Sequence, residues 1–306
     1  MIKINKEEWN NQAVYLLENN KLRIWVAPED GMNISQIKYD DQIVVKFDKE
    51  RYEKKLTYGV PILYPTPNRV KDFKFSFDGV KYDAVMHGFT KNQKFVVTGT
   101  NVDDKSVSIE AVMQIHKGEV LYELFPFESS LKIKIVVADN EIKYQYTVCN
   151  YDDKKLPYGF AIHPFFNKNN EEVKIKVNAS KVMVMTEDKL PTGELIDVKD
   201  TEFQLQQEIE VDKLELDHVY TDINHHPAAE IIYNNFCIKI DTTKDFSHIV
   251  VFLPSKAPFF CIENQTCSTD AHNMYDSGFE TISGLEIAEP NEEKGGEITW
   301  KFISNN

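Results

Sequence analysis

Residues 130–150 read SLKIKIVVADNEIKYQYTVCN. Apolar side chains fall on every second position in both halves, at Leu131, Ile133, Ile135 and Val137, then at Ile142, Tyr144, Tyr146 and Val148. A period of two places one row of side chains against a core and the other toward water, which is the signature of a half-buried strand. Asp139-Asn140 sits between the halves, and these residue types tolerate the backbone of a tight turn. The stretch therefore predicts a β-hairpin.

The same pattern recurs along the chain. KLRIWVAP (21–28), SVSIEAVMQIH (106–116), SHIVVFLP (247–254) and GEITWKFIS (296–304) read as strands. VKIKVNASKVMVMT (173–186) and AEIIYNNFCIKIDT (229–242) repeat the hairpin pattern, the second around Asn234-Asn235. Helical periodicity is scarce, with a turn or two expected near 6–12 and 270–280. No Pro/Gly/Ser linker and no fixed repeat divides the sequence. The expectation is an all-β fold forming one domain over residues 1–306.

Composition narrows the function. The 306 residues carry 35 basic and 49 acidic side chains, a formal charge of −14. Such a surface repels phosphate backbones and anionic lipid, so neither a nucleic acid nor a membrane is an expected partner. The N-terminal residues lack an apolar core of signal-peptide length, and no apolar run is long enough to span a bilayer. The four cysteines show no CxxC pairing; reduced thiols and a cytoplasmic location are expected. Glycine-rich dinucleotide fingerprints, phosphate loops, GxSxG and HExxH are absent, and no His/Cys/carboxylate spacing matches a metal-ligand pattern. Only Arg23, Arg51 and Arg69 are arginines, so the planar forks that grip carboxylate and phosphate are few.

Five segments carry the polar residues that could do chemistry. YGVPILYPTPNRV (58–70) takes an extended path imposed by its prolines and ends on Asn68-Arg69. VMHGF (85–89) places His87 at an expected strand end. PYGFAIHPFF (157–166) puts His163 directly before Pro164, which cannot donate to a strand ladder. LELDHVYTD (214–222) carries Asp217, with His218 on the opposite face of a regular strand. PFFCIENQT (258–266) sets Glu263 behind an apolar run. Taken singly, each has an ordinary structural explanation: a hydrogen-bonded histidine, a strand-end carboxylate, a surface ion pair.

Taken in order, these segments resemble the aldose 1-epimerase (galactose mutarotase) family along nearly the whole chain. YLLENNKLRIWVAPEDGMNISQI is similar to the family's opening strands, with Gly31-Met32 where a Gly-Gly pair is usual. The Pro-rich segment ending in Asn-Arg, the His-Gly-Phe element, the second-histidine segment and the Asp- and Glu-bearing segments follow. KLPTGEL (189–195) resembles a Pro-Thr-Gly-Glu turn. The resemblance implies a β-supersandwich with a concave sugar-binding cleft, acting on a small-molecule monosaccharide without cofactor or metal. Carried over position by position, it implies Glu263 as catalytic base, His163 as catalytic acid and His87 assisting at the reacting oxygens. Arg69, Asp217 and Asn68 would hold sugar hydroxyls.

Three alternatives keep some of these residues. A hexose-6-phosphate 1-epimerase would need further cations for the phosphate, and the scarcity of arginine counts against it. A carbohydrate-binding or regulatory module without turnover would keep the fold and lose the chemistry. Glycoside hydrolysis could use Glu263 and Asp217, yet it does not call for two histidines.

Overall fold

The computed structural model describes residues 2–305. The hairpin that opened the sequence reading forms as strands Ser129–Ala138 and Glu141–Asn150, paired antiparallel from Ser129↔Asn150 to Ala138↔Glu141. Asp139 adopts a φ of 46° at the turn. Along Glu141–Asn150 burial alternates strictly, so the period read from sequence is the period of packing.

Among the described residues, strands make up 51% of the chain and helix 9%, and the strands form two large sheets of 13 and 9 members with two small two-stranded pairs. The N-terminal meander Lys3–Trp9, Gln12–Glu18, Leu22–Ala27, Asn33–Tyr39 and Gln42–Val45 builds one side of the larger sheet. The 129–150 hairpin lies in the smaller one, beside the C-terminal strand Glu293–Ser304. The two sheets meet through aromatic contacts. Tyr39 of the larger sheet packs 4.9 Å from Phe302 and 5.1 Å from Phe236 of the smaller. Phe166 packs 5.1 Å from Trp300. Each such buried ring contributes about 2 kcal/mol or more of apolar transfer energy, so this seam holds the layers together.

Several local expectations are corrected. Residues 6–12 hold no helix: Lys3–Trp9 is a strand, and Asn10 and Asn11 at φ of 51° and 62° turn it into the next. Two consecutive left-handed residues match the twist of a tight hairpin, which asparagine tolerates. Residues 173–186 hold two strands but no hairpin. Lys174–Val177 pairs within the smaller sheet and Ala179–Met185 within the larger. Asn178 is the crossing point, its amide nitrogen donating to the Pro227 carbonyl at 2.6 Å. The segment expected as a Pro-Thr-Gly-Glu turn is strand Pro191–Asp197; the turn precedes it, with Lys189 at φ 59°. The short helix Ala271–Asp276 lies within the second helical stretch read from sequence.

No helix among the described residues is long and apolar enough to cross a membrane. All four cysteines are free thiols, Cys261 and Cys267 buried.

Candidate active site

Glu263 sits inside strand Phe259–Gln265, in the middle of the larger sheet. Phe260 and Ile262 point into the core, so Cys261, Glu263 and Gln265 share the other face. Strand His248–Leu253 lies on one side, with Val250 opposite Glu263. Beyond it, strand Leu216–Ile223 places Asp217 opposite Phe252, which is itself opposite Cys261. Asp217 and Glu263 thus occupy neighbouring rows of one sheet face.

The other side of Glu263 is where the ladder breaks. Phe166 pairs with Phe260, and Ala161 pairs with Gln265. Both pairings fall on the same antiparallel register, and that register sets His163 opposite Glu263. Pro164 has no N–H to give, so pairing cannot continue through it. The N–H groups of His163 and Phe165 instead donate to Pro61 O at 3.0 Å and Gly59 O at 2.9 Å. The Pro-rich stretch supplies carbonyls here. Across the gap, His163 Nε2 stands 3.1 Å from Glu263 Oε1, with both side chains buried.

The remaining candidates converge on this pair. His87 packs edge-on against His163, ring centroids 5.7 Å apart. It does not end a strand as expected. It lies in a turn at φ 67°, its N–H donating to Asn68 O at 2.8 Å. Gly88 follows at φ +71°, where a Cβ would lie 2.0 Å from Tyr64 O, so only glycine fits. Arg69 reaches Asp217 Oδ2 at 3.1 Å, and its carbonyl accepts from the Asp270 N–H at 3.0 Å. The Arg69 and Asp217 side chains are 38% and 24% exposed, so this pair is the solvent-facing part of the group. His218, as its alternate position requires, turns away to pack on Phe203 at 4.2 Å.

Sequence reasoning missed Gln265. Its amide nitrogen donates to Glu263 Oε2 at 3.0 Å, and its oxygen accepts from Asn68 Nδ2 at 2.9 Å. Asn68 is buried at φ 60° and braces the amide from behind. The signal was present: two positions after Glu263 on a strand is the same face.

Burial governs the protonation of the site. It pushes the Glu263 carboxyl well above the usual carboxylate range, helped by the Asp217 charge and opposed by the Gln265 hydrogen bond and Arg69. It drives the His163 imidazole well below its ordinary range, with the neighbouring His87 acting in the same sense. His87 falls to about 4, through burial and then the Arg69 and Lys91 charges. The sequence reading expected nearby carboxylates to favour charged His163; burial shifts it the other way. The contact between the two residues works against that trend, because each charge is the other's counter-ion. Both shifts favour the uncharged pair, a protonated carboxyl beside a neutral imidazole.

A cavity of about 370 Å³, lined in part by Phe165 and Phe259, reaches the pair through Phe165. Phe165 stacks on His163 at 4.7 Å and 8°. A larger one of about 440 Å³ lies around Asn11, Asp30 and Asn92, and neither cavity is lined by any of the six candidates. Among the described residues no three His, Cys, Asp or Glu side chains are grouped to hold a metal ion.

Comparison with known proteins places the chain in a family and gives its fold. The aldose 1-epimerase family profile matches residues 13–300. A galactose mutarotase of Bos taurus is 23% identical over 252 residues, which are 76% of this chain and 69% of that protein. Among solved structures, a galactose mutarotase-like protein of Clostridium acetobutylicum superposes with a TM-score of 0.85 at 20% identity, covering 99% of both chains. A galactose 1-epimerase of Lactobacillus acidophilus superposes with a TM-score of 0.82 at 15% identity, covering 100% of both. The chain belongs to the aldose 1-epimerase family and has the galactose mutarotase-like all-β fold.

Proposed function

Starting from that membership, we propose that the protein interconverts the α and β anomers of an aldose free at C1, with Glu263 as base and His163 as acid. Ring opening removes the proton from the C1 hydroxyl and delivers one to the ring oxygen, breaking the C1–O5 bond and leaving an open-chain aldehyde. Rotation about C1–C2 exposes the other carbonyl face. Reclosure reverses both transfers, with the imidazole taking the proton back and the carboxyl returning its own. No redox step and no covalent intermediate is needed.

The observation that carries the reading is the His163–Glu263 contact at 3.1 Å. The reactive form places the proton on His163 and leaves Glu263 as carboxylate. Burial alone disfavours that form. A bound sugar offsets this by donating its C1 hydroxyl to the carboxylate and accepting the imidazole N–H at its ring oxygen. His87, held neutral by burial, has a lone pair or N–H to offer a reacting oxygen. Arg69 and Asp217 supply a donor and an acceptor for sugar hydroxyls, which take both.

The test is a panel of free aldoses followed by polarimetry or by NMR exchange between anomers. Acceleration of at least one aldose is expected. Tight sugar binding without faster exchange would replace the enzyme with a binding module.

A further inference from the structure

The cavity bordered by Phe165 and Phe259 is also lined by Lys46, Lys49 and Arg51. Arg51 lies over Phe165 at 5.0 Å and over Phe259 at 5.8 Å, while Phe165 stacks on His163. Guanidinium, phenyl ring and imidazole form one continuous stack from the cavity to the site. Arg51 is fixed there by Nε donating to Thr57 O at 2.6 Å and by Nη2 at 3.4 Å from Thr57 Oγ1. Its Nη1 has no protein partner among the described residues.

The charge at this place runs against the rest of the molecule. On a chain of formal charge −14, three cations line the cavity with one carboxylate, Asp48. Asp48 is already engaged, its Oδ1 accepting from the Arg51 N–H at 3.0 Å. Lys49 meets Glu53 only at 3.7 Å with both side chains exposed, a weak pair. No carboxylate lies within ion-pair distance of Lys46 among the described residues. Both Arg51 and His163 pack on Phe165, so an occupant of the cavity meets the guanidinium beside the ring.

We infer that the cavity of Lys46, Lys49 and Arg51 binds an anionic substituent, phosphate or carboxylate, carried by the aldose whose hemiacetal lies at Glu263 and His163. This inference rests on the mutarotase reading and narrows its substrate to anionic aldoses. The arginine scarcity that counted against such a substrate loses its force, because the fold brings one of the three arginines together with two lysines at the site's flank.

The experiment compares kcat/KM for anomer exchange of glucose and galactose, their 6-phosphates, and the corresponding uronates. Wild type is set against a Lys46→Ala/Lys49→Ala double variant and against Arg51→Gln. An anionic aldose is expected to be preferred about tenfold or more, the ratio collapsing toward one in the variants and shrinking with added salt. Preference for phosphates or for uronates identifies which anion is used, and either sustains the inference. Neutral aldoses handled as well as charged ones, or a ratio untouched by the substitutions, overturns it while leaving the mutarotase reading standing. If no aldose is turned over, that reading fails, and equilibrium binding of glucose 6-phosphate against glucose decides the cavity. Selective binding of the phosphate that the double variant loses sustains an anion site; equal binding refutes it.

Discussion

His163 and Glu263 stand opposite each other in the register of one interrupted strand pair, Nε2 to Oε1 at 3.1 Å. Two residues one hundred positions apart in sequence are made cross-strand neighbours by a ladder that Pro164 then opens. The opening leaves the two facing side chains, and no backbone hydrogen bond, in the space between the strands.

Replacing His163 with Asn should leave the protein folded and lower kcat for anomer exchange by about 10²–10⁴. The imidazole also stacks on Phe165, so a fall of a few degrees in Tm is expected alongside. Polarimetry and a thermal melt separate the two effects. A variant with wild-type kcat removes His163 from the chemistry.

Gln265→Met tests the bracing of the carboxylate. The Gln265 hydrogen bond holds the Glu263 pKa down against burial, so its loss raises that pKa further. The acid limb of the pH profile of kcat/KM should move to higher pH. Leaving Asn68 and Glu263 each short of a partner should also destabilise the fold by about 1–3 kcal/mol. An unshifted pH profile with the same stability loss would reduce Gln265 to a purely structural residue.

How much of this was legible beforehand depends on range. Period-two alternation announced the 129–150 and 229–242 hairpins because their partners are adjacent in sequence and their turns carry Asp-Asn and Asn-Asn. The same alternation misled at 173–186, since it records which face is buried and not which sheet a strand joins. Polar residue types in five segments flagged all six candidates. Their convergence came from resemblance alone, because no local rule reports that residue 163 will lie opposite residue 263. Arg51 stood out only as one of three arginines for the same reason: its stacking partners Phe165 and Phe259 are far away in sequence.

Gly88→Ala should destabilise the protein by about 2–4 kcal/mol, since the added Cβ would collide with Tyr64 O and the φ of +71° disfavours any L side chain. Because Gly88 follows His87 and bridges to Tyr64, the damage should reach the site. Chemical denaturation measures the first effect and anomer exchange the second. A variant as stable as wild type would show that this turn is not held as described.

Buried histidines set the acid stability. His248 and His272 both drop from 6.5 to about 4 through burial. Between those values the unfolded chain binds more protons than the folded one, so stability is complete above pH 6.5 and is lost as pH falls toward 4. Each contributes a slope of about 1.4 kcal/mol per pH unit in that window. Glu263 and Asp270, pushed up by burial, act in the opposite sense. Urea midpoints between pH 7 and 4.5 should fall steadily, and less steeply in His248→Gln. A flat profile would mean these imidazoles are not held neutral.

The central claim, that one buried carboxylate initiates ring opening, is tested most directly by anomer exchange rates of wild type and Glu263→Gln on the same aldose. The amide keeps the shape and a hydrogen bond to Gln265 while losing the base. The account requires wild type to accelerate exchange and the variant to lose about 10²-fold or more of that acceleration. A Glu263→Gln protein that exchanges anomers at the wild-type rate would contradict it.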